Sequence, residues 1–314
     1  MVAYVYPAVG RSGLGNCLFP WARANAFAHK HGLPILAPSW SRIRLGPYIR
    51  REYDKRRYGN FFNNEGYISG LKRASALVIS HSISEYDAVR HFPAGQTRKG
   101  FDTLVVFEGL GDYFTPLLPH HGLIRQRLWT MTRPALKSLS LSLTTHFFAA
   151  HVRRGDVVLP YHPESKVAQH VQCTPIDWFA KTIAKVRKFN QYDHIPFLIF
   201  TDGSAAQVAS LLEHKNVMLA PKAVSIVDLF RLSRASLLLA SGYSTFSMWA
   251  SFLGGMPTIY APGKIQQLVQ TGREKGGSVE IELAESEAVP VNVFSSLENN
   301  FGNNLVRDLK GLVR

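Results

Sequence analysis

Residues 146–156, HFFAAHVRRGD, pass from a short apolar run straight into a dense polar cluster. Phe147 to Ala150 is the kind of run that forms a strand covered on both faces. His151, Arg153, Arg154 and Asp156 follow at once, with Gly155 among them to permit a sharp turn. A buried strand that carries two arginines to its carboxyl end needs an anionic partner for them, because an unpaired buried charge is costly. In an open α/β sheet that end is where ligands bind. Arginine's planar fork suits phosphate, since two N–H groups meet two oxygens at once. Neighbouring residues of an extended chain point to opposite faces. One arginine therefore faces a ligand while the other pairs with Asp156 or Asp202. Arg153 shares a face with His151 and is the expected ligand arginine. The plainer alternative is an Arg–Asp pair closing a strand end, with His151 a satisfied core histidine.

Outward from this stretch the chain reads as alternating strands and helices. Upstream, VAYVYPAV (2–9) is a strand, GRSGLGN (10–16) a glycine-rich loop and Leu18 to His31 a helix that Gly32-Leu33-Pro34 stops. Strand, loop and helix open a nucleotide-type βα unit. The spacing is not G-x-G-x-x-G, and a tight turn into a helix explains the glycines equally well. ILAP (35–38) restarts a strand, 76–86 and TLVVF (103–107) carry strand patterns, GLGDYF (109–114) is a turn and 117–132 a helix. A domain boundary falls near 135–145. Downstream, 175–189 is an amphipathic helix opened by Pro175, and IPFLIFTDG (195–203) is a buried strand ending at Asp202. Residues 204–214 and 227–236 are helices, LLLAS (237–241) is a strand, GYSTFSMW (242–249) opens a helix and PTIYAP (257–262) is a strand. Right-handed crossovers would set His151/Arg153, Asp202 and Ser241–Ser247 along one edge of a parallel sheet. Ser244 and Thr245 at a helix start offer hydroxyls and free N–H groups to an anion. Simple N-capping is the alternative.

Composition narrows the class. The 314 residues are 46% hydrophobic and 18% charged, enough for one large domain or two ordinary ones. Cys17 and Cys173 stand far apart, so neither a disulfide framework nor a zinc site is expected, and a reducing, cytoplasmic compartment is. Nothing at the N-terminus reads as a secretory signal. The uncharged run between Arg234 and Lys264 is broken by serines, glycines and Pro257 and does not read as a membrane span. Net charge is +14, from 36 Lys+Arg against 22 Asp+Glu. Nucleic acid, an anionic membrane surface and anionic small substrates compete to explain it. Residues 42–57, RIRLGPYIRREYDKRR, could bind RNA or face a membrane or an acceptor. No helix-turn-helix, zinc-finger or RNP-type pattern is present, so nucleic acid is not expected. Peripheral contact with the anionic inner face of a membrane is.

Four motifs carry a family resemblance. GLGN (13–16) followed by Leu18-Phe19, HVRRGD (151–156), the D-L-x-x-L-S of 228–233 and STFSMW (244–249) resemble, in residues, order and spacing, the α-1,2-fucosyltransferases and their α-1,6 and protein O-fucosyltransferase relatives. The resemblance implies an α/β fold of the GT-B type, two Rossmann-like domains facing a cleft. Residues 1–140 would form the acceptor-side domain, 141–295 the GDP-sugar-binding domain, and 296–314 a helix packing back on the first. It implies an inverting, metal-independent glycosyltransferase with no cofactor, moving L-fucose from the donor GDP-fucose to a hydroxyl of an oligosaccharide or glycan acceptor in α-1,2 linkage. The sequence contains no D-x-D to hold a metal, and fixed positive charge on the leaving diphosphate is then the main lever.

By the match, Arg153 holds the β-phosphate and stabilises the leaving group, His151 contacts the nucleoside, and Asp228 reads the amino edge of guanine. Ser244, Thr245 and Phe246 line the phosphates and base. Gly13, Gly15 and Asn16 reach the diphosphate and fucose from the N-terminal domain, and Arg154 and Asp202 complete the donor site. Asp156 and Glu164, the latter in the loop LPYHPESK (159–166), are the candidates for general base. Asp156 as a structural partner of Arg154 is the alternative, and direct attack with late proton transfer needs no strong base. Three positions depart from the family pattern: Cys17 stands where Gln is usual, Thr201-Asp202-Gly203 where two acidic residues are common, and Gly242-Tyr243 where an Asn precedes STFS. Two other readings stay open: the same fold using another GDP-sugar or linkage, and a non-catalytic glycan- or nucleic-acid-binding protein. The complete set Arg153, Asp228, Ser244 and Thr245 argues against the latter.

Overall fold

Every strand that the sheets contain is parallel to its neighbours, and helices alternate with strands along the chain. The computed structural model describes residues 2–40, 56–92, 102–143, 146–154, 173–189, 192–270 and 279–297. The chain divides into two compact units, Met1–Ser138 and Leu139–Arg314.

The first unit holds β1 (Ala3–Ala8), α1 (Leu14–His31), α2 (Gly70–Ile79), β2 (His81–Ser84), α3 (Glu85–His91), β3 (Thr103–Glu108) and α4 (His121–Met131). α5 (Pro134–Ser140) carries the chain across the boundary. The sheet order is β1-β3-β2. Alternation sorts the strand residues between two faces. Val5, Val105 and Phe107 meet Ala24, Phe27 and Ala28 of α1 and Ala88 of α3. Tyr4, Leu104 and Val106 meet Ala76 and Leu77 of α2 on the other face. The strand expected over 76–86 is therefore only half right. Residues 76–79 are helical, because Ala76 and Leu77 suffice to reach the sheet, and only His81–Ser84 pairs as a strand. ILAP (35–38) pairs only through isolated bridges at Ile35 and Leu36.

The second unit holds β4 (Phe148–Val152), α6 (Ile176–Arg187), β5 (Phe197–Thr201), α7 (Ala209–Leu212), β6 (Val217–Leu219), α8 (Ser225–Leu232), β7 (Leu237–Ala240), α9 (Thr245–Gly254), β8 (Thr258–Tyr260) and β9 (Glu280–Glu282). Its sheet order is β6-β5-β4-β7-β8-β9. Numbered within the unit this is 3-2-1-4-5-6, the doubly wound order of dinucleotide-binding folds. The chain winds outward from β4 to β6, then returns to the other side of β4 with β7. All five residues of β4 are buried, which is why its sequence, His151 apart, is apolar rather than alternating. Phe148, Phe197, Leu237 and Ile259 pack with Trp178, Phe179 and Ile183 of α6 in one core. Each such side chain contributes roughly 1.5–3 kcal/mol on burial, which offsets the cost of burying polar groups at the end of the same sheet.

Residues 291–297 are helical. From residue 298 onward the helix expected over 296–314 lies outside the described residues, as does 42–55 of the basic segment. Among the described residues no helix is long and apolar enough to cross a membrane.

Candidate active site

Between β4 and β7 the winding reverses, and ligands of such sheets sit outside the carboxyl ends of the strands at that point. Ser241, the residue after β7, ties the two strand ends together. Its buried hydroxyl donates to the carbonyl of His151 at 2.7 Å and accepts the Arg153 N–H at 3.0 Å. Asp202, at the end of β5, accepts the Arg154 N–H through Oδ1 at 2.6 Å. The backbone of 153–154 is thus held from both neighbouring strands.

The two arginines part company as alternation requires. Arg153 is half-buried at the strand end. Arg154 is only 5% exposed, and its Nη2 donates to the Thr174 carbonyl at 2.9 Å. Thr174 in turn accepts the Gly242 N–H on its hydroxyl at 2.9 Å. Arg154, expected among the donor contacts, is buried and has its Nη2 committed to a backbone carbonyl inside the unit, where it acts as a brace. Asp202, also expected as a nucleotide contact, has one carboxylate oxygen committed to positioning Arg154.

His151 shares a 2.7 Å hydrogen bond between Nδ1 and Ser247 Oγ, and its ring centre lies 5.2 Å from that of Phe246. Burial pushes its pKa down to about 4; the charge of Asp202 opposes the shift and that of Arg153 adds to it. At neutral pH the site therefore holds an uncharged imidazole, with one ring nitrogen to donate and one to accept.

α9 begins immediately beyond. Ser244 is its N-cap and accepts the Ser247 N–H at 3.3 Å, so the capping alternative describes this hydroxyl. Thr245 and Phe246, in the first turn, remain half-buried. Tyr243, just before the cap, has a left-handed backbone with φ of 51°, and its phenol donates to the Gly263 carbonyl at 2.8 Å. Asp228 lies in the first turn of α8, which packs against α9; Arg231 Nη1 stands 3.6 Å from its Oδ1. Asp156 and Glu164 lie outside the described residues. Among the described residues no cluster of His, Cys, Asp and Glu could hold a metal ion.

In the first unit, α1 starts at Leu14 rather than Leu18, with Gly13 as its N-cap. Gly15 and Asn16 are therefore first-turn residues, not loop. The Cys17 thiol points back to the carbonyls of Gly10 and Ser12, 3.5 Å from each. Sequence reasoning missed Arg23. This arginine, 3% exposed inside α1, makes a two-pronged pair with Glu85 at 2.7 and 3.0 Å. It also donates to the carbonyls of Glu108 and Leu110, each at 2.8 Å, and so shapes the 109–114 turn. A lone cation in WARANAFA (21–28) was the available signal. Thr174 was missed as well.

Comparison with known proteins agrees with this geometry. Residues 122–270 match the family model described as Glycosyl transferase family 11. The span contains β4, β7 and α9. The structure of NodZ α-1,6-fucosyltransferase co-crystallized with GDP aligns with a TM-score of 0.53 at 15% identity, over 87% of this chain and 100% of that one. The same enzyme soaked with GDP-fucose gives 0.52 at 15% identity, over 84% and 96%. Fucosyltransferase NodZ from Bradyrhizobium gives 0.49 at 16% identity, over 84% and 97%. No curated protein sequence matches the chain. The doubly wound site unit and the shared architecture define the class of fold: the protein has the α/β, GT-B type fold of glycosyltransferases. The segment that carries the site is similar to glycosyl transferase family 11, and the fold is similar to that of the NodZ fucosyltransferase.

Proposed function

We propose that the protein transfers L-fucose from GDP-fucose to a hydroxyl of a glycan, in α-1,2 linkage, with inversion at the anomeric carbon and without a metal. One observation carries the reading. Arg153, the neutral His151 and the first turn of α9 lie together beyond the carboxyl ends of β4 and β7. NodZ, which has this fold, has been crystallized with GDP and soaked with GDP-fucose, which supports the choice of donor.

The chemistry follows from where charge develops. The acceptor oxygen attacks the anomeric carbon as the bond from that carbon to the β-phosphate oxygen breaks. The electron pair leaves with GDP, and the sugar passes through an oxocarbenium-like state. Arg153 takes the charge gathering on the diphosphate. N–H groups at the start of α9 and the Thr245 hydroxyl receive its other oxygens. Ser241 and Asp202 hold the backbone beneath Arg153, so little reorganisation accompanies the reaction. His151 hydrogen-bonds the nucleoside without adding a cation, beside Phe246. Asp228 accepts the N–H groups of guanine. The acceptor's proton passes late to Asp156, to Glu164 or to solvent.

Thermal unfolding in EDTA with GDP, UDP, CMP, GDP-fucose, GDP-mannose and NAD tests the reading. A ligand at 100 times its dissociation constant adds about 2.7 kcal/mol, a readily measured shift. Shifts with GDP and GDP-fucose and none with UDP or NAD are expected. Absence of any shift would refute the donor assignment, and a GDP-mannose shift exceeding that of GDP-fucose would replace the sugar.

A further inference from the structure

The diphosphate of a nucleotide sugar carries two negative charges, and a third develops as the glycosidic bond breaks. With Arg154 turned to Thr174, the end of β4 offers, among the described residues, the guanidinium of Arg153. Another cation stands at the β7–β8 side of this sheet edge. Lys264 follows β8, the strand beside β7. Its stem lies across Gly242 so closely that a Cβ there would fall 2.5 Å from Lys264 Cβ. That contact explains why residue 242 carries no side chain. The Lys264 ammonium stands 5.4 Å from the centre of the Tyr243 ring. No carboxylate pairs with it among the described residues.

The loop under this lysine is firmly built. The N–H groups of Gly263, Lys264 and Ile265 each donate to the carboxylate of Glu282 on β9 at 2.8 Å. On its other side Tyr243 donates its phenol to the Gly263 carbonyl at 2.8 Å and its N–H to the Lys264 carbonyl at 3.4 Å. Backbone groups and the aliphatic stem thus hold the loop, and the charge is not needed to keep it in place. A cation resting on a half-exposed ring is weakly held. The four-carbon stem lets its ammonium exchange that ring for a stronger anionic partner.

We propose that Lys264 is a second cationic contact to the donor diphosphate, exchanging the Tyr243 ring for a phosphate oxygen when the donor binds. The inference rests on the nucleoside-diphosphate reading above and adds a residue to it. Lys264→Met keeps the stem over Gly242 and removes the charge; Lys264→Arg restores a cation; Lys264→Gln serves as a second neutral variant. Calorimetric binding of GDP and of guanosine to each separates the two ideas. The Met and Gln variants should bind GDP about 10- to 100-fold more weakly, with guanosine affinity and unfolding temperature unchanged. The Arg variant should stay within a few-fold of the parent. GDP bound equally by parent and Met variant overturns the role of Lys264 alone. Parallel losses for GDP and guanosine also overturn it, because they mark a structural effect. A parent that binds no GDP overturns the donor reading itself.

Discussion

Replacing His151 by asparagine should flatten the acid limb of this protein's stability. Burial lowers the imidazole from its ordinary 6.5 to about 4, and unfolding returns it to the ordinary value. Between those two limits the unfolded chain binds a proton that the folded chain does not. Stability therefore rises with pH across this window. It is fully present above about pH 6.5 and lost as the pH falls toward 4. The whole shift corresponds to about 3 kcal/mol, and most of it should be gone by pH 4.5. Asparagine keeps an amide near the place of Nδ1 to meet Ser247 and does not titrate. Carboxylates that titrate in the same range are common to both proteins, so their difference isolates one group. Urea unfolding at pH 7.5 and 4.5 gives the two gaps. At pH 7.5 the parent should be the more stable, by the packing that the smaller side chain gives up. At pH 4.5 that advantage should shrink by about 2–3 kcal/mol or reverse. A gap that stays constant within about 0.5 kcal/mol between the two pH values would refute the claim that the site holds a neutral histidine.

The two adjacent arginines should behave as opposites. Arg153→Ala should lower transfer about 100- to 1,000-fold with its unfolding temperature kept. Arg154→Ala should instead cost about 2–3 kcal/mol of stability through the lost charged hydrogen bond to Thr174, and an unchanged urea midpoint would end its role as a brace. In the first unit, Gly111 has φ of 55°, and a Cβ there would lie 2.7 Å from Arg23 Cζ. Gly111→Ala should cost about 2–3 kcal/mol in the parent but only the left-handed strain, about 1 kcal/mol, in an Arg23→Met background. Equal penalties in a double-mutant cycle would show that Arg23 does not set the shape of the turn.

What could be read from the sequence is what neighbouring residues decide among themselves. β4 announces its two covered faces by five buried residues in a row, and its polar end by the residues that follow at once. The start of α9 is equally local, since Ser244 needs only the N–H three residues on. Where a role depends on a distant partner, the local pattern says little. β9 reads Glu-Ile-Glu and resembles no strand. It pairs because β8 offers it an edge, and its two carboxylates find the N–H groups of 263–265 and of 269–270. The apolar run within α2 looked like a strand because its outward residues are apolar too: Leu71 is 90% and Val78 82% exposed. Pattern alone cannot separate a core face from an apolar outer one. Gly13 and Gly15 looked like loop, yet α1 begins at Leu14 because burial of its first turns outweighs glycine's helix penalty of about 1 kcal/mol.

The division of labour between Arg153 and Arg154 shows the limit most clearly. Alternation predicts that they diverge, and they do. Which of them becomes internal was decided by Thr174, 20 residues further along the chain, whose carbonyl receives Arg154 and whose hydroxyl receives the Gly242 N–H. That one threonine joins the ends of β4 and β7. In the reading proposed above, its uptake of Arg154 leaves the donor diphosphate to Arg153 and Lys264. The charge that this reading gives to the reaction is then settled by a hydrogen bond at a residue that no motif marks.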